Sequence, residues 1–246
     1  MTRAVALLKE LGNHPNGATA QELALSTGLH RATASRLLLT LAQSGILTKT
    51  DSTFSLGWEV ARLGRIADPY RGVRPHIQVI LERLSSELDE HVSFSVVLNP
   101  TTLEVIAEAH GSYMLGPAQG YVGMKFPLHA SATGKILLAD LSRVEIIALL
   151  PENLDPFTHQ TITRRATLLG QLSEVRTLGY ATIDNEIEEG LFSVAVGVRD
   201  AGGSLIGVLA ASGLDRRMKR SGVSNFVDAL QTAAEELSKA LSLTSR

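Results

Sequence analysis

Residues 18–37 read ATAQELALSTGLHRATASRL. Thr19 can cap a helix, because Glu22 stands three residues on, as a capping box requires. That helix runs to about Ser26, and Gly28 sits where a left-handed residue ends it without strain. A second helix follows, from about Arg31 to Ser44, with Leu37, Leu38 and Leu41 turned inward and Gly45 stopping it. Ala24 in the first helix and Ala34 in the second are small, as a close crossing needs. Two helices joined by a tight glycine turn predict a helix-turn-helix, whose second helix must bury one face and leave its N-terminal part free for a major groove. The free residues are Arg31, Ala32, Thr33, Ser35 and Arg36, with Thr40 one turn on. Arginine can grip guanine with two hydrogen bonds, Thr and Ser suit phosphates or base edges, and the helix start itself favours phosphate.

Working outward strengthens this reading. Ala4, Leu7, Leu8 and Leu11 repeat at helical spacing upstream, and Gly12-Asn13-His14-Pro15-Asn16-Gly17 breaks the chain. Downstream, Ile46 to Leu56 alternates around a polar tip at residues 49–53, which predicts a β-hairpin. Three helices followed by a hairpin make a winged helix-turn-helix. Lys49 and Thr50 are then placed at the wing, and Thr19 at the start of the first motif helix joins the DNA-facing set. The alternative is a helical hairpin in some other core with solvated Arg and Thr, but the element order favours the wing. A winged helix serving protein contacts alone is disfavoured by Arg31, Arg36 and Lys49 on the same predicted face. Charge agrees: residues 1–75 carry nine Lys/Arg against five Asp/Glu, and residues 76–246 carry 14 against 20.

Residues 58–75 read as an arginine-rich connecting helix (Trp58, Ala61, Leu63, Ile66) interrupted by Pro69 and Pro75. The division expected is a DNA-binding domain at 1–57, a linker at 58–75 and a second domain at 76–246. That domain opens with a helix at about His76–Leu88. Strands are expected at Val92–Leu98, Leu103–Ala109, Tyr180–Ile183, Phe192–Arg199 and Leu205–Ser212. Helices are expected at Ser131–Asp140, Arg143–Leu150, Arg164–Leu178 and Val223–Leu241. Hairpin-connected neighbours, such as the pair around Asp200-Ala201-Gly202-Gly203, argue for a mainly antiparallel sheet flanked by helices, an α+β architecture. The basic run Arg216-Arg217-Met218-Lys219-Arg220 is read as a solvated loop, with a further nucleic-acid contact as the alternative.

Composition closes several routes. With no cysteine among 246 residues there is no disulfide, thiolate metal site or cysteine nucleophile. The seven histidines show no paired helical spacing, so no metal and no cofactor are expected, with ligands brought together only by folding as the alternative. No apolar run approaches the ~20 residues needed to span a bilayer, and the amphipathic start lacks a cleavage site, so a cytoplasmic protein with no membrane partner is expected. Thr133-Gly134-Lys135 lacks the remaining residues of a phosphate loop. His129 beside Ser131 lacks an orienting acid, and no G-x-S-x-G elbow exists, so no catalytic residues are assigned.

The head carries Thr33-Ala34-Ser35-Arg36-Leu37-Leu38, Leu41, Gly45-Ile46-Leu47 and Phe54-Ser55-Leu56-Gly57, and the body carries Pro127–Lys135, Thr158, Thr161, Thr163, Leu178-Gly179-Tyr180, Asp184–Gly190 and Gly207–Gly213. In these motifs, and so over nearly its whole length, the chain resembles the IclR family of bacterial regulators. The resemblance implies a GAF-like effector domain, a helical linker, and dimers or tetramers on a pseudo-palindromic double-stranded DNA operator. It also implies control, often as a repressor, by a small organic or aromatic acid. The sequence departs from the commoner family pattern at Asp184-Asn185-Glu186 (often adjacent glutamates), Ser193 (often cysteine) and Phe54-Ser55 (often Tyr-Arg). The resemblance places effector contacts at Ala132, Thr133, Asp184, Leu191, Ser193, Ala210 and Ser212. Ser131, Gly134 and Glu186 are added as neighbours. The residues agree: small side chains at a helix start leave amides for a carboxylate, and Ser193 and Ser212 offer hydroxyls on adjacent strands.

Overall fold

A computed structural model describes residues 1–67, 70–112, 121–124 and 126–242. By its contacts the chain divides into Met1–Arg71 and Gly72–Arg246. No helix among the described residues is long and apolar enough to cross a membrane.

The first unit contains α1 (Thr2–Leu11), β1 (Ala18–Thr19), α2 (Ala20–Thr27), α3 (Arg31–Gln43), β2 (Leu47–Thr50), β3 (Thr53–Leu56) and α4 (Trp58–Ala67). The capping box forms as the spacing predicts: Thr19 Oγ1 accepts from Glu22 N, and the Glu22 carboxylate accepts from Thr19 N at 2.7 Å. Gly28 is left-handed at φ 66°, and Ala24 and Ala34 are buried at the α2–α3 crossing. Leu7, Leu11, Leu23, Leu38, Leu47 and Phe54 complete this core. Phe54, noted as a departure from the family's tyrosine, is thus a core residue. The wing carries a third strand that alternation did not reveal. β1 pairs antiparallel with β3, giving the order β1-β3-β2. Gly17 permits it, since a Cβ there would lie 2.6 Å from the Phe54 carbonyl oxygen.

The second unit holds α5 (Arg74–Leu88), β4 (His91–Asn99), β5 (Thr102–Ala109), α6 (Ala132–Asp140), α7 (Arg143–Leu149), α8 (Arg165–Leu178), β6 (Tyr180–Asp184), β7 (Leu191–Arg199), β8 (Leu205–Leu214), α9 (Asp215–Ser221) and α10 (Val223–Ser242). Its five strands form an antiparallel sheet in the order β5-β4-β8-β7-β6. Alternation along the strands sends Ala195, Val208 and Ala210 to the face covered by α6, which contributes Ala132, Ile136 and Leu137. Leu138 on the far side of α6 packs with Ile146 of α7 and Leu168 and Leu172 of α8. α5 and α10 pack on each other and on the sheet. Gly134 is needed where α6 starts: a Cβ would meet the Leu128 backbone at 2.4 Å.

Three expectations are corrected. Pro75 does not interrupt a helix; it lies in the first turn of α5, where its missing N–H has no intrahelical partner to lose. Pro69 lies outside the described residues. The basic run is not a loop but α9, held by buried Met218. Arg217 Nε there donates to the buried carboxylate of Glu90 at 2.6 Å. Asp184 closes strand β6, one residue beyond the strand end expected at Ile183.

Candidate functional sites: a recognition helix and an effector cleft

In the head, Arg31, Ala32, Arg36 and Thr40 are exposed on α3, while Thr33 and Ser35 are half-buried. Arg31 and Arg36 form no salt bridge among the described residues. His30 precedes the helix without a side-chain cap; Thr33 N and Ala34 N donate to its carbonyl, which leaves the amides of Arg31 and Ala32 open to an anion. Lys49 and Thr50 are exposed on β2. Thr19 stands apart: its hydroxyl is engaged on both sides by Glu22.

In the body, a cleft of about 480 Å³, counting its open mouth, lies between the start of α6 and the sheet. Of the ten residues expected there, Ser131, Ala132, Thr133, Leu191, Ser193, Ala210 and Ser212 line it. Ser131 caps α6, accepting from Gly134 N at 3.1 Å and donating to the Pro127 carbonyl at 2.7 Å. The amides of Ala132 and Thr133 are left at the helix start, where the backbone dipoles favour negative charge. Thr133 Oγ1 has no protein partner among the described residues. Across the cleft Ser212 Oγ donates to Ser193 Oγ at 2.9 Å, and Ser193 Oγ in turn donates to the Ala211 carbonyl at 3.0 Å. Ile183, Ile187, Leu191, Phe126 and Tyr121 supply apolar surface. The site therefore pairs an anion seat and hydroxyls with an apolar slot.

Three expected residues do not line this cleft. Gly134 is turned against Leu128. Asp184 is exposed and pairs with Lys219 at 2.6 Å. Glu186 turns inward beneath α6 and forms a buried ion pair with Lys135. Burial pushes the Glu186 carboxyl up and the Lys135 ammonium down, and their mutual attraction opposes both shifts. Thr161 Oγ1 donates to the Glu186 carbonyl at 2.6 Å and Thr158 Oγ1 to that of Asn185 at 2.5 Å. The acidic segment is thus clamped to the body, a role for these threonines that spacing did not disclose. His129 Nε2 donates to the Asp155 carbonyl at 2.9 Å, so Ser131 and His129 do not form a nucleophile–base pair.

Sequence reasoning also missed His91, Ser93, Tyr121 and Phe126 on the cleft wall. His91 is buried, its Nε2 lies 3.2 Å from Glu108 Oε2, and desolvation lowers its pKa. Tyr121 N donates to the same carboxylate oxygen at 2.9 Å, and the Tyr121 ring packs edge-on against His91. The His110 ring lies 4.9 Å from that of His91, tilted by 44°.

Two family profiles match. "Bacterial transcriptional regulator IclR C-terminal" covers residues 70–239, and "IclR helix-turn-helix domain" covers 1–51. The chain is 33% identical over 210 residues to HTH-type transcriptional regulator Rv1719 of Mycobacterium tuberculosis, spanning 85% of this chain and 80% of that protein. The crystal structure of an IclR transcriptional regulator from Alicyclobacillus acidocaldarius superposes with TM-score 0.81 at 26% identity, covering 97% of each chain. The inducer-binding domain of the PobR transcription factor from Acinetobacter, a double mutant in complex with 3-hydroxybenzoic acid, matches at TM-score 0.60 and 27% identity. That match covers 67% of this chain and 97% of that one.

Proposed function

We propose, from the premise that this chain belongs to the IclR family of bacterial transcriptional regulators, that a small organic or aromatic acid bound in its cleft controls its affinity for an operator. The chain is a DNA-binding regulator rather than an enzyme, as its relatives are. The effector reading is carried by one observation: Ala132 and Thr133, at the start of α6, and Ser212, on the facing strand, line the same largely apolar cleft. A carboxylate would sit at the start of α6, with a ring or aliphatic body against Ile183, Ile187 and Leu191. The PobR domain in complex with 3-hydroxybenzoic acid supports this chemistry. In this proposal Gly134, Asp184 and Glu186 shape the cleft from behind without touching the ligand.

On the DNA side, Arg31, Ala32, Thr33, Ser35, Arg36 and Thr40 enter the major groove, and Lys49 and Thr50 meet the backbone from the wing. Thr19 contributes by fixing the start of α2. The head is assigned to residues 1–57, the linker to 58–75 and a GAF-like effector domain to 76–246. One recognition helix reads too few base pairs to find a single genomic site, so a two-fold pair on a pseudo-palindrome is required. Val5 of α1 and Trp58, Leu63 and Ile66 of α4, all exposed, supply the apolar dimer surface.

Calorimetry with 3-hydroxybenzoate, 4-hydroxybenzoate and short aliphatic acids tests the effector reading, coupled to gel-shift titration of the operator. An effector acts only through different affinities for DNA-competent and DNA-incompetent states. Thr133→Leu should abolish acid binding and the acid's effect on DNA while leaving DNA binding without acid intact. Undiminished acid affinity in that variant refutes the placement.

A further inference from the structure

We propose that His91, Glu108 and His110 form a binding site for a divalent transition-metal cation of the zinc class. The strands bring the three together. In the β4–β5 register Val92 lies opposite Ala109 and Ser93 opposite Glu108. Continuing it sets His91 across from His110, with Glu108 diagonal on the same face. One ligand atom from each residue lies within 4.8 Å of the others.

A tetrahedral zinc with ligand bonds of about 2.0–2.1 Å holds its donors roughly 3.3 Å apart. His91 Nε2 and Glu108 Oε2 are already 3.2 Å apart, and His110 Nε2 is 4.0 Å from Glu108 Oε1. Rotation of the half-exposed His110 ring closes the set. Two imidazoles and one carboxylate suit zinc or a neighbouring transition metal rather than calcium or magnesium, which prefer all-oxygen shells. Three protein donors leave a position open.

His91 is 3% exposed, so its ring is already held against Glu108 through Nε2 before any ion arrives; a metal on Nε2 would leave the buried Nδ1 as the ring atom still without a partner. A route in exists. Glu108 and His110 also face an open groove that carries Glu82 and Asp89, and acidic walls draw a cation toward the cluster. His91 belongs at the same time to the cleft wall, so occupancy of the site would fix one side of that cleft. Without a metal, the cluster is a hydrogen bond flanked by one tilted and one edge-on ring, and the test separates the two.

Untagged full-length protein is stripped with EDTA, dialysed, and titrated with zinc chloride by calorimetry in a non-chelating buffer. No organic acid is present, so the result is independent of the effector reading. One saturable equivalent per chain is expected. Glu108→Gln and His110→Ala should each weaken it at least tenfold, while His76→Ala and His159→Ala, at exposed histidines, leave it unchanged. Circular dichroism verifies that each variant is folded. Should either ligand variant unfold, cobalt(II) on the wild type decides: visible d–d bands that one equivalent of zinc abolishes support the site. Absence of saturable binding, absence of those bands, or binding that survives in folded Glu108→Gln and His110→Ala overturns it.

Discussion

Replacing Lys135 with Met keeps the length and apolar stem of the side chain but removes the ammonium from a pair whose side chains are 0% and 7% exposed. Glu186 Oε2 already has no partner, so the variant leaves a buried carboxylate unsupported. Breaking such a pair costs about 3–5 kcal/mol in general. Here an escape sets a ceiling, because Glu186 can take up a proton. Starting from the ordinary value of 4.5, protonation at pH 7 costs about 3.4 kcal/mol at about 1.4 kcal/mol per pH unit. The expected loss at pH 7 is therefore about 3 kcal/mol. The sign of its pH dependence follows. A folded-state pKa raised above the unfolded value contributes stability that is present below the unfolded pKa and lost as pH rises through the folded one. The gap between variant and wild type should thus shrink to less than about 1 kcal/mol near pH 5 and widen toward neutrality. Urea unfolding followed by far-ultraviolet circular dichroism measures this. Fluorescence would not, because the single tryptophan, Trp58, lies in the other unit. The double variant Lys135→Met with Glu186→Leu should regain most of the loss. A deficit that is constant from pH 5 to 8, or a double variant no better than the single one, refutes the reasoning.

Gly134→Ala should destabilise the body by about 1–3 kcal/mol, because its Cβ meets rigid backbone at Leu128; urea unfolding measures it. Arg36→Ala should weaken specific operator binding by roughly 1–3 kcal/mol and relax preference at one base pair, read by gel shift at fixed salt. An equal fall in specific and non-specific binding would make Arg36 a phosphate clamp instead. Light scattering should give a mass at least twice 26.3 kDa, and a monomer at micromolar concentration that binds half-sites with full affinity refutes the paired-head proposal.

The helix-turn-helix was legible because its signals are local: a capping box, a glycine turn and two alanines lie within twenty residues, and each has a mechanical reason. The strands of the body were legible from alternation to within two residues at their ends. α9 was not, because seven residues with one buried methionine give too little periodicity to separate a helix from a charged loop. Glu186 was expected to face the ligand because it lies in an acidic segment beside the cleft. Its inward turn depends on Lys135, 51 residues away. His91 and Glu108, 17 residues apart, share a site only through strand register, which spacing along the chain does not express.

The two walls of the cleft differ in how freely they can evolve. On the helix side Ser131 is tied to Pro127, Gly134 is wedged against Leu128, and Lys135 answers a buried charge. A change there damages the body before it alters taste for a ligand. On the strand side Ala210 packs in the core, but half-buried Ser212 is tied only through its hydroxyl to Ser193, and the Ser193 hydroxyl only to Ser212 and the Ala211 carbonyl. Descent toward a new inducer would therefore proceed by exchanging side chains on β7 and β8. Under the effector reading proposed above, the helix start would stay a constant receptor for the acid group, and the chain would change which acid it answers to more readily than whether it answers to an acid at all.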